Sequence, residues 1–370
     1  MTCVHILSDG FESPNGQALL YPVILHRRLL RDAGMVIRIF ASIEPSLIDC
    51  DVLIVDSKAL RDVWGTARED EALNMLRHWA ERTALLFFDT TDSTGWINAA
   101  VLPIVRRYYK NQVLRDRAHY TQPLYGGRLH TDYCHRALGI TDDVPEPHWT
   151  VLDRAAADAI RVSWNSGLAN YGFSGLYRAQ FYRRLRLPML LGPPRHFVSP
   201  AAARPLPVSC RISTSYARAT VAWQRQETQR RLGAFVTTDR LSRRNYFAEL
   251  ARSQVIVSPF GFGEINYRDY ETFISGGLLL KPHMSHMETW PDFFRDGETI
   301  ASHDWDLSDL VSRQNEFLAN PAHRIAIAAQ GQDTYRHFVS SRAGHEAFVG
   351  RLRGIVDDAL IDSTAGHART

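Results

Sequence analysis

The sequence predicts an α/β protein in which two parallel sheets face each other across a cleft. Strands that are apolar throughout alternate with helix-like segments toward both ends of the chain, and such strands belong to parallel sheets covered on both faces. A cluster of prolines between Pro193 and Pro205 separates the two alternating regions and is typical of a linker. The 370 residues are enough for two domains of ordinary size.

Composition excludes several classes of protein. Apolar residues make up 45% and charged residues 22% of the chain, which is typical of a folded protein and not of a disordered one. The net charge of +3 is too small for a polycation that binds nucleic acid. The longest apolar runs are far shorter than the roughly 20 residues of a membrane-spanning helix, and the first residues lack the pattern of a signal peptide.

Two scarce residue types add to this profile. Cys3, Cys50, Cys134 and Cys210 are far apart and form no CxxC pair, so neither a zinc site nor a disulfide framework is indicated. We therefore expect a cytoplasmic protein without a resident metal. Lysine occurs only at positions 58, 110 and 281, with arginine elsewhere, and we attribute this bias to genomic base composition.

The first alternating region begins at the amino terminus. It has predicted strands at residues 3–7, 35–41, 52–55 and 84–88, and predicted helices at residues 17–32 and 70–81. Ligands of parallel α/β sheets bind beyond the carboxyl ends of the strands. The polar loops 8–16 and 89–95 follow two of these strands, so we expect them to face the cleft. Residues 1–195 form the predicted amino-terminal domain.

The second alternating region follows the proline cluster. Its predicted strands are residues 208–212, 234–237, 254–257 and 278–281, and its predicted helices are residues 219–232, a segment capped by Ser242 that runs to residue 252, and residues 269–275. Three further helices are predicted at residues 306–318, 323–339 and 344–360. We assign residues 196–345 to a carboxyl-terminal domain and residues 346–370 to a helix and tail that pack back.

The stretch 258–282, SPFGFGEINYRDYETFISGGLLLKP, contains the most informative chemistry. Gly261 and Gly263 allow close approach of the backbone to a ligand, and the following helix directs its amino-terminal end toward the same cleft. Arg268 has the geometry to bind phosphate, and Glu271 lies close to one helical turn further on. A cation for a diphosphate beside a carboxylate for a sugar hydroxyl is what nucleotide-sugar binding requires. A surface salt-bridge cluster is the alternative.

This stretch resembles the donor site of GT-B glycosyltransferases. Residues 271–277, ETFISGG, are similar to the second half of the paired-glutamate signature of the group 1 enzymes, and residues 268–271, RDYE, resemble the RxxE segment of exostosin-like transferases. The similarity extends over roughly residues 208–339. It implies two Rossmann-like domains, with the donor bound by the second.

The resemblance also implies roles for individual residues. Glu271 would bind the ribose hydroxyls, Arg268 would face the diphosphate, and Glu264 would act near the donor sugar. Glu264 departs from the family, because it follows the GFG turn and six residues separate it from Glu271. Arg211 and Arg218 would neutralise the leaving nucleoside diphosphate, with ordinary solvated arginines as the alternative. Lys281 would reach the cleft from the end of a strand, unless it is simply exposed.

A general base for the acceptor hydroxyl should come from the amino-terminal domain. Asp9, Glu12, Asp89 and Asp92 follow predicted strands and are the candidates, with strand-end capping as the alternative for Asp89 and Asp92. A retaining enzyme would need no such base, and the stereochemistry stays open.

Residues 161–165, RVSWN, are polar and aromatic. Their composition favours packing between the domains over contact with an acceptor.

Residues 104–120 contain Arg106, Arg107, Lys110, Arg115 and Arg117 among apolar residues. Such a stretch is either a solvated face or a contact for an anionic membrane or polyanionic acceptor.

These observations lead to one functional hypothesis. The chain is expected to transfer a sugar from a nucleotide-diphosphate sugar, its donor substrate, to a saccharide, lipid-linked or small-molecule acceptor without a cofactor or metal. A nucleotide-sugar-binding module without transferase activity and a nucleotide-sugar epimerase of the same shape are the alternatives.

Overall fold

The computed structural model describes residues 1–144, 151–233, 236–237 and 239–366. The strands are β1 (Thr2–Leu7), β2 (Met35–Phe40), β3 (Val52–Asp56), β4 (Ala84–Asp89), β5 (Arg107–Lys110), β6 (Gln112–Leu114), β7 (Ile160–Val162), β8 (Leu206–Ser209), β9 (Ser253–Val257), β10 (Leu278–Pro282), β11 (Met287–Thr289) and β12 (Ala301–His303). The helices are α1 (Pro14–Leu25), α2 (Arg27–Asp32), α3 (Glu69–Ala80), α4 (Leu129–Leu138), α5 (Arg154–Ala159), α6 (Gly175–Leu185), α7 (Ala219–Leu232), α8 (Arg243–Arg252), α9 (Tyr267–Ser275), α10 (Leu310–Ala319), α11 (Pro321–Ser340) and α12 (Arg342–Gly366).

The first half of the chain forms a six-stranded parallel sheet in the order β2-β1-β3-β4-β5-β7. The strands β3 and β4 are buried at every position, as their wholly apolar sequences predicted. The helix predicted over residues 17–32 is two helices, interrupted at His26, where φ is −99° and ψ is 17°. The strands β5 and β7 were not predicted, because β5 has charged residues at both ends and β7 is only three residues long.

The second half forms a four-stranded parallel sheet in the order β12-β10-β9-β8. The helix α7 has the predicted bounds, and Ser242 caps α8 by accepting a hydrogen bond from the backbone N–H of Asn245 at 3.3 Å. The strand β8 ends at Ser209, earlier than predicted. Residues 234 and 235 of the strand predicted at 234–237 lie outside the described residues. The predicted fold class of two α/β sheets is therefore confirmed.

The two halves are joined by more than the linker. Strands β6 and β11, one from each half, pair in an antiparallel ribbon. The helix α12 begins at Arg342 and returns to pack on α2, β3 and β4 of the first half, so the predicted packing back of the carboxyl-terminal helices is confirmed. One continuous hydrophobic core contains Leu86 from the first sheet together with Tyr270 and Tyr335 from the second half.

Residues 161–165 contribute to this junction. The phenol of Tyr270 donates a hydrogen bond to Asn165 Oδ1 at 2.5 Å, and the side chain of Asn165 donates to Thr289 at 3.0 Å. A Cβ atom at Gly167 would lie 2.4 Å from the ring of Tyr270, so no larger residue fits there. Packing between the domains, the favoured interpretation of this segment, is what the structure shows.

The lysines are distributed unevenly in this fold. Lys110 pairs with Asp89 at 2.8 Å and Lys281 pairs with Asp269 at 3.0 Å, and none of these four side chains is more than 1% exposed. Lys58 is half-buried and makes no salt bridge among the described residues. The expectation that Lys281 reaches the cleft is therefore wrong. Its strand, β10, lies inside the sheet, and its ammonium group is buried against Asp269.

No α-helix in the described part of the chain combines the length and apolar character needed to cross a membrane.

Replacing Lys281 by methionine should lower the free energy of unfolding by about 3–5 kcal/mol, because Asp269 would stay buried without its partner. Urea unfolding followed by circular dichroism measures this change. Lys58→Met is the matched control and should shift the free energy by less than about 0.5 kcal/mol. Similar losses in the two variants would contradict a structural role for the buried pair.

Candidate functional site

A cavity of about 1250 Å³ lies between the two sheets, beyond the carboxyl ends of their strands. This cavity, the cleft, is large enough for two drug-sized ligands. Its amino-terminal wall includes Ser13, Pro14, Asn15, Lys58, Arg61, Thr90, Asp92, Asn111, Gln112, Ser163, Trp164 and Ser166, and its carboxyl-terminal wall includes Arg211, Ile212, Ser213, Arg225, Asp239, Arg240, Arg243, Tyr246, Ile265, Asn266, Tyr267, Arg268 and Glu271.

The carboxyl-terminal wall is built around the first turn of α9. Asp269, in that turn, accepts a hydrogen bond from the backbone N–H of Asn266 at 2.9 Å and from the hydroxyl of Ser258 at 2.6 Å. Oδ2, the oxygen that accepts from Asn266, also pairs with Lys281. One buried carboxylate thus joins the start of α9 to the ends of β9 and β10 and holds the helix at the edge of the sheet.

Arg268 and Glu271 both line the cleft, as their spacing predicted. The hydroxyl of Tyr246 donates a hydrogen bond to Glu271 Oε2 at 2.8 Å, and Arg243 Nη1 lies 3.8 Å from Oε1. Burial raises the pKa of Glu271, while Tyr246, Arg243 and Arg268 oppose that change. Arg268 donates a hydrogen bond to the carbonyl of Arg211, so its guanidinium is fixed at the wall.

Four arginines besides Arg268 line the same wall. Arg211 binds Glu249 with Nη2 to Oε2 at 2.6 Å and donates to the carbonyl of Asp239 at 3.1 Å. Arg225 is buried and donates to the carbonyl of Phe260 at 2.6 Å, so it supports the loop before α9. Arg240 and Arg243 complete a wall with five arginines against two carboxylates, Asp239 and Glu271.

The amino-terminal wall presents one exposed carboxylate, Asp92. Asn15 donates a hydrogen bond to Asp92 Oδ1 at 2.8 Å and a second to the carbonyl of Thr90 at 2.7 Å, which fixes the loop after β4. Asp9, a predicted base, is largely covered, pairs with Arg61 at 3.2 Å, and is not part of the cleft lining. Burial raises the pKa of Asp9, and hydrogen bonding to Ser13 and the charge of Arg61 partly offset this.

The other two base candidates are directed elsewhere. Asp89 is buried, where it accepts hydrogen bonds from Tyr108 at 2.6 Å and Lys110 at 2.8 Å. Glu12 pairs with Arg183 at 3.1 Å and is not part of the cleft lining.

Glu264 is fully buried and does not line the cleft, contrary to the expected place near the donor sugar. It accepts hydrogen bonds from the hydroxyl of Thr94 at 2.6 Å and from its backbone N–H at 3.1 Å, and His130 and His286 lie 3.9 and 3.7 Å away. Burial alone would raise the pKa of Glu264, but His286, His130 and Thr94 outweigh it and hold that pKa well below its usual value. Glu264 therefore links the two halves as a buried anion.

The two glycines of the GFG turn lie at the same junction and outside the cleft lining. A Cβ atom at Gly263 would lie 2.0 Å from the carbonyl oxygen of Asp92, and one at Gly261 would lie 3.0 Å from Arg225 Nη2. Close approach is required, as predicted, but the groups that approach are protein atoms. Arg218 lies over the ring of Phe262, with its Cζ 5.8 Å from the ring centroid, and is also outside the cleft lining.

The basic stretch 104–120 is not a free surface. It contains β5, which pairs with two neighbours in the sheet, and β6, which pairs with β11. Arg115 donates to the carbonyl of Met287 at 3.0 Å, and Arg117 pairs with Glu288 at 2.8 Å. Arg115 and Arg117 therefore join the two halves, and Lys110 pairs with Asp89 inside the first sheet.

Sequence reasoning missed several cleft residues, of which Lys58, Arg243 and Tyr246 are the most prominent. Lys58 lies two residues after the predicted strand β3, and this position at the carboxyl end of a strand could have indicated that it faces the cleft. Arg243 and Tyr246 begin α8, whose cap at Ser242 was predicted, but nothing local showed that this helix packs beside α9.

Three comparisons with known proteins describe what the chain is similar to. No protein-family model matches it, and no curated protein matches it significantly. The alignment with a glycosyltransferase from Rickettsia africae includes 97% of this chain and 98% of that protein, at 7% identity and a TM-score of 0.44. HepE of Anabaena, solved in complex with UDP-glucose, covers 96% with 100% of its own, at 9% identity and a TM-score of 0.42.

An α,α-trehalose-phosphate synthase (UDP-forming) from Burkholderia vietnamiensis covers 96% of this chain with 100% of its own, at 10% identity and a TM-score of 0.42. The fold is GT-B-like. The two facing parallel sheets and the returning carboxyl-terminal helix establish this class, and these distant similarities add nothing on activity.

Replacing Thr94 by valine should lower the free energy of unfolding by about 2 kcal/mol, because Glu264 would lose a charge-assisted hydrogen bond inside the junction. Urea unfolding measures the loss. Thr121→Val, which removes a half-buried hydroxyl bonded to the carbonyl of Ala118, is the control and should cost less. If both variants are equally stable, Glu264 does not join the halves in the way described.

Proposed function

We propose that this protein is a glycosyltransferase that moves a sugar from a nucleotide-diphosphate sugar to an acceptor hydroxyl. The supporting observation is the presence of Arg268 and Glu271 side by side on the wall of an interdomain cleft, with Tyr246 hydrogen-bonded to the glutamate. Few ligands combine a diphosphate with a vicinal diol, and this wall offers a complementary group for each.

The arginines give the diphosphate its proposed site. A guanidinium presents a rigid fork of donors that matches phosphate oxygens. Arg268 lines the cleft at the start of α9, and Arg240 and Arg243 line it at the start of α8. As the bond to the sugar breaks, negative charge builds on the departing diphosphate. Fixed cations next to that charge lower the barrier because they need no reorganisation. We propose that these arginines do this without a metal or cofactor.

Glu271 is the proposed partner of the ribose hydroxyls. One of its oxygens already accepts from Tyr246, so the carboxylate is held in one orientation while the other oxygen lies beside Arg243. Placing the carboxylate close to one helical turn after Arg268 matches the separation of ribose and phosphate in a nucleotide.

Asp92 is the proposed general base in the case of an inverting reaction. It lies on the opposite wall of the cleft, is exposed, and is oriented by Asn15. Asp9 is the second choice because it lies outside the cleft lining and one of its oxygens pairs with Arg61. The acceptor, whether saccharide, lipid-linked or small molecule, would enter along the wall that contains Lys58 and Arg61. The four free cysteines support a cytoplasmic site of action.

A thermal-shift panel of UDP, GDP, dTDP and CMP tests the donor site, because a ligand that binds only the native state raises the melting temperature. For the nucleotide that stabilises the protein, Glu271→Ala should weaken binding about tenfold or more. Glu298→Ala removes an exposed glutamate outside the cleft and should leave the affinity unchanged. Equal affinity of Glu271→Ala and the parent protein would contradict the assignment.

Asp92→Asn should reduce turnover about 100-fold or more while leaving nucleotide affinity unchanged, because only the transfer of the acceptor proton is lost. Release of nucleoside diphosphate in the presence of acceptor measures turnover, and Asp9→Asn is the comparison. Unchanged turnover in Asp92→Asn would exclude it as the base.

The same assay separates the three functional hypotheses. Release of nucleoside diphosphate that requires an acceptor supports transfer. Turnover of the donor without an acceptor supports epimerisation or hydrolysis, and binding without any turnover supports a binding module.

A further inference from the structure

A second cavity, of about 600 Å³, lies in the amino-terminal half on the other side of the loop after β1. This cavity, the groove, lies between α1, the edge strand β2 and the end of α6. Its apolar lining consists of Phe11, Leu20, Val23, Ile24, Ile37, Ile39, Phe40, Tyr182 and Pro188. Phe11 lines the groove and Ser13 lines the cleft, so one short loop separates the two.

Three arginines, Arg27, Arg38 and Arg186, surround this apolar lining. No aspartate or glutamate lines the groove, and none of the three makes a salt bridge within the residues that the structure describes. Arg186 Nη1 lies 3.8 Å from the position a Cβ of Gly10 would take, which places it at the loop toward the cleft. The groove thus combines an apolar interior with uncompensated positive charge.

The backbone of Arg186 is unusual for its residue type. It has φ 53° and ψ 27° and ends α6 in the left-handed conformation, where glycine is the favoured residue. Its side chain gains no salt bridge in the described structure. Its guanidinium lies close enough to the Tyr182 hydroxyl to interact with it, and an anionic ligand would give it a charged partner that offsets the conformational cost.

An exposed apolar stripe runs along α6, the helix whose Tyr182 lines the groove. Tyr177, Phe181 and Leu185 follow each other at i, i+4 and i+8, so they share one face of the helix, and they are 47%, 58% and 53% exposed. Leu187 and Met189 extend the stripe, at 47% and 80% exposure. A contiguous exposed apolar patch of this kind marks an interaction surface.

The charge around this stripe is predominantly positive. Arg183 and Arg184 are exposed on α6, and Arg186 follows at its end. Glu12 pairs with Arg183. Aromatic and aliphatic side chains interleaved with arginines are the composition that binds the headgroup region of an anionic bilayer.

We propose that the α6 stripe docks on an anionic lipid bilayer and that the groove holds the hydrocarbon chain of one lipid, with Arg27, Arg38 and Arg186 around its phosphate. Charge complementarity selects this occupant over a protein helix, because arginines outnumber the single carboxylate, Glu12, that pairs with them on the described part of this surface. The inference does not depend on sugar transfer. It places the membrane contact on α6 and not on the stretch 104–120.

Flotation of the full chain with vesicles tests the proposal. The protein should float with mixed phosphatidylcholine and phosphatidylglycerol vesicles, not with phosphatidylcholine alone, and added salt should weaken the binding. The proposal would be overturned if the protein stayed at the bottom of the gradient in the presence of the anionic vesicles, or if it bound both kinds of vesicle equally.

The decisive variant is Arg186→Gly. Because glycine suits the backbone at this position, the melting temperature should stay the same or rise, while affinity for the anionic vesicles should fall about fivefold, as expected for one arginine near a charged surface. A structural role alone would lower the melting temperature instead. Arg342→Ser, which removes an exposed arginine on α12, is the charge control and should bind as the parent does.

A second variant tests the stripe. Phe181→Ser with Leu185→Ser should abolish binding to the anionic vesicles, whereas Val144→Ser, at an exposed site far along the chain, should not. Unchanged binding in the double variant would overturn the proposal. The rise in melting temperature caused by the stabilising nucleotide should be the same in all these variants, so lipid binding and donor binding fail or succeed separately.

Discussion

The site depends on one buried carboxylate. Asp269 accepts hydrogen bonds from Ser258 and from the backbone of Asn266 and pairs with Lys281. An unpaired carboxylate in that position would be costly, so the lysine and the helix start fix each other. The direction of α9 follows from this contact, and with it the orientation of Arg268 and Glu271 toward the cleft.

The cleft also depends on how closely the two halves approach. Gly263 lies against the backbone of Asp92, and Glu264, the next residue, is held by Thr94. The loop after β4 therefore contacts the loop before α9 directly. The residue proposed as base and the residues proposed to bind the donor are set at a fixed separation by the same few contacts, together with the β6–β11 ribbon and the shared core.

Local patterns predicted what local forces determine. The apolar strands β3, β4 and β10, the cap at Ser242 and the bounds of α7 followed from periodicity and end signals, and the spacing of Arg268 and Glu271 placed them together on one helix. The burial of Lys281 and Glu264 could not be predicted, because each is covered by a segment distant in sequence. The role of Arg115 and Arg117 in joining the halves could not be predicted for the same reason, since their hydrogen-bond partners are some 170 residues away in sequence.

The three lysines have a practical consequence. Two of them are sealed in ion pairs inside the sheets, and the third, Lys58, opens into the cleft. Apart from the amino terminus, Lys58 is therefore the one amine that amine-reactive reagents can reach, and it lies in the cleft. Coupling the protein to a sensor chip through Lys58 would turn the cleft toward the chip surface and block it. A fluorophore attached to Lys58 would report on ligands that enter the cleft.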